Sequence, residues 1–165
     1  MVIAHILTHG LFYSAVAIAY LFLMMVVFSP RVWGSTDYPE RIKQKVPAQT
    51  RKERTLAAAV GLPWFVFILG FPVSSTLALK AKLGSQIPFM TSFLNILAMM
   101  IGMTLGDLVL LDWLLVSKIT PRFVIIPGTV KDDYRDFSHH YQSHARAVIP
   151  MIILSLIIAG LVSGL

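Results

Sequence analysis

A chain of 165 residues that is 56% hydrophobic and only 13% charged, with a mean hydropathy of +0.75, lies outside the range of soluble domains, where about a quarter of residues are charged. The solvent such a sequence suits is lipid. It has no cysteine, which excludes disulfides, thiolate metal sites and cysteine nucleophiles, and its net charge of +6 is spread between apolar runs rather than gathered with aromatics on one face, which argues against a nucleic-acid partner.

Four apolar runs, Ile6 to Phe28, Leu56 to Leu79, Thr91 to Val116 and Ala147 to Leu165, each approach or exceed the roughly 20 helical residues that cross about 30 Å of hydrocarbon. Backbone groups in lipid must be satisfied within the segment, so each is expected to be a helix. The expected fold is all-α, a polytopic membrane four-helix bundle in which residues 1–165 form one integral membrane domain. The first run has no basic leader and no small-residue cleavage site, so it is expected to be retained. Lysines and arginines number twelve in the first and third connections against two, Lys80 and Lys82, in the second. The excess of basic residues marks the cytoplasmic loops, which places both termini outside the cell's inner or plasma membrane.

In the first run His5 and His9, four apart, share a helix face and suit either a metal or haem ligand pair or two amphipathic side chains at the outer interface. Tyr13, Ser14 and Tyr20 are candidates for hydrogen bonds to neighbouring helices. The basic first connection is expected to signal topology or to bind anionic lipid head groups. Within it, the amphipathic piece from Tyr38 to Val46 stops at Pro47. Thr50 and Glu53 have capping-box spacing and predict the start of the second helix.

The second run contains Gly61-Leu62-Pro63 and Gly70-Phe71-Pro72. Each proline removes the donor to the carbonyl four residues back, here Ala59 and Ile68. The freed carbonyls either line a cation path in a broken helix or are met by neighbouring hydroxyls, and a kinked structural helix is the favoured expectation. A short turn then makes the second and third helices antiparallel neighbours.

In the third run Gly102 and Gly106 form a small-xxx-small pair that permits close backbone approach, and Gly160 and Gly164 repeat the pattern in the fourth. Asn95, Met99, Gly102, Gly106, Val109 and Trp113 fall on one stripe at 100° per residue. Asp107 carries the cost of a carboxylate at membrane depth and is the leading functional candidate. Asp112, five residues on, falls about 140° further round an α-helix. It is therefore not expected to pair with Asp107 on one face, and its expected partners are Lys118, Arg122 or a base of the first connection.

The string Asp112-Trp113-Leu114, Lys118, Thr120-Pro121, Phe123 through Thr129 and Asp133 through Phe137, with His140, resembles an uncharacterised group of small four-helix prokaryotic integral membrane proteins. The resemblance implies the fold and no activity. Phe123 to Ile126 is too short to span and is expected to lie extended at the cytoplasmic interface or tucked against the helix ends. Lys131 to Arg146 predicts an amphipathic helix lying on the membrane, with Tyr134, Phe137, Tyr141 and Val148 on its apolar face. Asp136, His140 and His144, spaced by four, offer three ligands for a divalent metal such as Zn or Fe; a solvated flank is the alternative.

No nucleophile elbow, phosphate loop, dinucleotide fingerprint or zincin helix is present. The leading expectation is an oligomeric membrane protein that binds or conducts a small ligand or ion past Asp107, Asn95 and the carbonyls of Ala59 and Ile68. A metal-dependent enzyme acting on lipid through Asp136, His140 and His144 is the second reading. The third is a non-catalytic accessory or lipid-organising subunit.

Overall fold

In the computed structural model, residues 1–34 and 38–164 are described; Leu165, the expected last residue of the fourth span, lies outside the described residues. All regular structure among the described residues is helical. The long helices are α1 (Val2–Val27), α4 (Arg51–Lys82), α5 (Phe89–Gly106), prolonged by a π-helical segment (Asp107–Ile119), and α6 (Ser138–Gly164). Single-turn helices α2 (Pro30–Trp33) and α3 (Glu40–Lys43) lie in the first connection. Among the described residues, four helices are long and apolar enough to cross a membrane. Large apolar side chains such as Leu7, Leu11, Phe65, Val66, Ile149 and Leu161 are more than half exposed, a surface that water would penalise and a bilayer solvates.

α1 packs on α4 and α5, and α6 packs on α5 and α4. The seam between α1 and α5 is set by the glycines of the third run. A Cβ at Gly102 would come within 3.0 Å of Ser14 Oγ, and one at Gly106 would overlap the Ile18 side chain. The partner of this small-residue pair is thus the first helix. Gly160 and Gly164 mediate no such approach: a Cβ at Gly160 would reach only Phe89, at 4.0 Å, and one at Gly164 would meet nothing within 4 Å.

α4 begins as its sequence predicts, since Thr50 Oγ1 accepts from the Glu53 N–H (3.2 Å) and Glu53 Oε2 accepts from the Thr50 N–H (2.7 Å). Both prolines lie inside one continuous helix of 32 residues, as a structural helix requires. α1 donates to an α4 carbonyl near each of them. Tyr13 Oη donates to the Ile68 carbonyl (3.1 Å) that Pro72 leaves without its helical partner, and Tyr20 Oη donates to the Val60 carbonyl (2.6 Å) in the turn before Pro63. Tyr13 is fully buried, stacked near Phe67 and Phe71.

The first and third connections pack into one cap, with Tyr38, Ile42, Val124, Ile126 and Tyr134 buried together. Tyr134 Oη accepts from the Ile126 N–H (2.9 Å) and contacts Thr129 Oγ1 (2.8 Å). Lys45 pairs with Asp133 (2.5 Å) across the two connections. Arg31 spans Glu53 bidentately (2.6 and 3.0 Å) and donates to the Pro47 and Ala48 carbonyls. This bonding to Glu53 holds the guanidinium above its usual pKa, and Arg31 and Lys45 of the basic cluster help to shape the cap. The expected surface helix from Lys131 to Arg146 is not one element. A 3-10 turn (Lys131–Tyr134) precedes a break, after which α6 runs unbroken from Ser138. Tyr134 is buried whereas Tyr141 and Val148 are exposed, so they do not share a face.

The glycine seam yields a stability test. Gly106→Leu should lower stability by about 1–3 kcal/mol through overpacking, whereas Gly164→Ala should cause no loss, both measured by thermal unfolding in detergent. Equal behaviour of the two variants would contradict the packing described.

Candidate acid and histidine site between the third and fourth spans

Two polar clusters are buried at different depths of the bundle. The first joins α1, α4 and α5. His5 Nε2 donates to the Ser75 carbonyl (3.1 Å), Ser75 Oγ and His9 Nδ1 share a hydrogen bond (2.9 Å), and Lys82 Nζ reaches His5 Nδ1 (3.4 Å). The two imidazoles stack with centroids 3.7 Å apart. Asn95 Nδ2 donates to Thr76 Oγ1 (2.9 Å) and lies 3.4 Å from Ser75 Oγ. His5 and His9 are therefore occupied in helix packing, by contacts that involve both ring nitrogens of His5 and Nδ1 of His9. Asn95 belongs to this cluster; twelve residues before Asp107, it lies about 18 Å away along the helix. The two residues expected to share a polar interior do not share one.

The second cluster is built from the π-helical segment. There backbone bonds close over five residues instead of four, as in the Thr120 N–H to Leu115 carbonyl bond (2.8 Å), and Ser117 Oγ bonds back to the Asp112 carbonyl five residues earlier (2.8 Å). The segment ends at Thr120, in the left-handed region (φ 47°), followed by Pro121. With that repeat, residues five apart take the stacked relation that residues four apart have in an α-helix. Asp107 and Asp112, which α-helical geometry would separate, are brought to one side.

On α6, His140 and His144 are four apart and present one face. His144 Nε2 lies 2.8 Å from Asp112 Oδ2 and 3.8 Å from Asp107 Oδ2, and His140 Nδ1 lies 3.2 Å from Asp112 Oδ1. Asp112 and His140 are buried, Asp107 and His144 partly so. One ligand atom each from Asp107, Asp112 and His144 falls within a sphere of contacts no longer than 4.8 Å. The partners of Asp112 are thus histidines, and the bases expected to pair with it do not do so.

The set Asp136, His140 and His144 is split. Asp136 folds back on the start of α6, where its Oδ1 accepts from the Ser138 N–H (3.0 Å) and hydroxyl (2.6 Å), a position that the helix dipole favours for an anion. Its place beside the histidines is taken by Asp107 and Asp112 from the preceding span. The signal that sequence reading lacked was the helix type, because a period of 3.6 hides a pair five apart.

Next to the two carboxylates lies a cavity of about 360 Å³, bounded by α1, α2, α4 and the π-helical segment. Gly61, Trp64, Trp33 and Asp107 are on its wall; Ala59 and Ile68 are not.

Chemically the cluster offers two carboxylates and an imidazole at separations that a bound cation can close, with His140 holding Asp112 from behind. Asp112→Ala should lower stability by about 3–5 kcal/mol in a detergent unfolding assay, because it removes the buried carboxylate that His140 and His144 both face; an unchanged stability would contradict the geometry. Comparison with known proteins gives no match among family models, curated proteins or solved structures.

Proposed function

We propose that this is a multi-pass protein of the inner or plasma membrane, with both termini outside, that binds a small cation within the bilayer through Asp107, Asp112 and His144 and passes it along the bundle. The observation that carries the reading is the meeting of those three ligand groups, all within 4.8 Å, on two helices that are long and apolar enough to cross a membrane. A charge at the centre of a spanning helix costs about 3 kcal/mol even on insertion scales, and an acid in such a helix is retained chiefly for function. Two carboxylates with one imidazole suit Mn, Fe or Zn in the divalent state, and binding would release any proton held between acids and imidazole.

The basic bias of the first and third connections supports the orientation, and the outward faces of α1, α4 and α6 are available to lipid or to a second copy. A reporter fused to either terminus should be extracellular; a cytoplasmic reporter would overturn the orientation. For the site itself, full-length protein purified without a polyhistidine tag, stripped with chelator and titrated with Mn²⁺, should bind about one ion per chain. Asp107→Asn and His144→Gln should each weaken binding by at least about tenfold, in line with the loss of one ligand or its orienting partner. Clearly substoichiometric binding of Mn²⁺, Fe²⁺ and Zn²⁺ by the unsubstituted protein would contradict the reading.

A further inference from the structure

The cavity beside the carboxylates has a composition that a metal ion alone does not call for. Its wall carries the indoles of Trp33 and Trp64 and the ring of Phe65, with Asp107 and Asp112 at the π-helical side, and no lysine or arginine lines it among the described residues. Both indoles are held in place: Trp33 Nε1 donates to the Phe28 carbonyl (3.2 Å), and Trp64 stacks on Tyr20 at 5.9 Å. Aromatic faces attract cations through the ring quadrupole, most strongly for tryptophan and most of all where water is excluded. Rings and acids together thus select positive charge, while the apolar wall selects substituents that lipid already dissolves. At about 360 Å³ the space matches the small end of ligand pockets. Gly61 leaves the α4 side of the cavity open: a Cβ there would meet nothing within 4 Å.

We propose that this cavity binds a small organic cation, an ammonium bearing apolar or aromatic groups, with its charge toward Asp107 and Asp112 and its body among Trp33, Trp64 and Phe65. The assignment rests on the preceding reading in one respect, that these two carboxylates serve a cation. It adds a ligand class that approaches them from the side opposite the histidines, and such a ligand competes with a metal ion for the same charge.

The test uses the full chain in lipid nanodiscs and benzyltrimethylammonium as probe, with its neutral carbon isostere neopentylbenzene as control, read by intrinsic tryptophan fluorescence and calorimetry after correction for partition into lipid. The ammonium should bind saturably and at least about tenfold more tightly than the isostere, the range expected of a desolvated cation over indole faces plus a carboxylate. Gly61→Leu should weaken it by at least about tenfold by filling the cavity while leaving Mn²⁺ affinity unchanged, which also shows that the variant is folded. Trp64→Leu should weaken the ammonium and leave the isostere little changed. Equal affinity for ammonium and isostere, indifference to Gly61→Leu, or no saturable binding would overturn the proposal. If Mn²⁺ binds and the ammonium does not, the cavity assignment fails and the metal reading stands; if the ammonium binds and Mn²⁺ does not, the metal reading fails and the cavity assignment stands.

Discussion

A carboxylate placed among apolar helices has to find its partners inside the protein, and the contact of Asp112 with His140 and His144 meets that requirement. It ties the π-helical segment to α6 through the buried side chains of Asp112 and His140, and it sets the direction in which α6 faces its neighbours. Single ion pairs at surfaces contribute little, but here each partner would be left buried without the other. The pairing therefore fixes which face of α6 meets the π-helical segment, and by doing so it draws Asp107 into the same site.

The π-helical repeat makes this arrangement compatible with the chain. A helix that bonds over four residues would turn Asp112 away from Asp107; one that bonds over five stacks them. Thirteen residues in this conformation, Asp107–Ile119, are far more than the single-turn bulges that usually interrupt α-helices. The cost in backbone packing is offset by side-chain bonds such as that of Ser117 Oγ to the Asp112 carbonyl, which follows the five-residue turn. A related device operates in α4, where the Tyr13 hydroxyl stands in at the Ile68 carbonyl that Pro72 leaves open and Tyr20 bonds the Val60 carbonyl near Pro63, within one 32-residue helix.

Apolar length and the capping box at Thr50 and Glu53 were legible in the sequence because each is a local rule. So was the close approach at Gly102 and Gly106, although its partner, α1, was not, since small residues permit contact without naming who makes it. The site itself was half legible. Asp107, His140 and His144 stand out as polar groups in or near lipid-length helices, but Asp136 was grouped with the histidines by α-helical spacing, while its carboxylate is used at the start of α6. Asp112 was set apart from Asp107 by that same spacing. The causes differ: the approach of Asp112 to Asp107 follows from a local change of helix period that carries no residue signature, whereas Asp136 lies before the first residue of α6, where the chain is not helical. Likewise His5, His9 and Asn95 are individually conspicuous, yet only packing shows that Ser75 of α4 gathers them into a structural network.

The most direct measurement on the central claim is the electron spin-echo modulation of Mn²⁺ bound to the full-length protein carrying ¹⁵N-labelled histidine. The account predicts coupling to one imidazole nitrogen that disappears in His144→Gln and persists in His5→Gln. A bound ion with no histidine coupling, or coupling that survives the loss of His144, would contradict it.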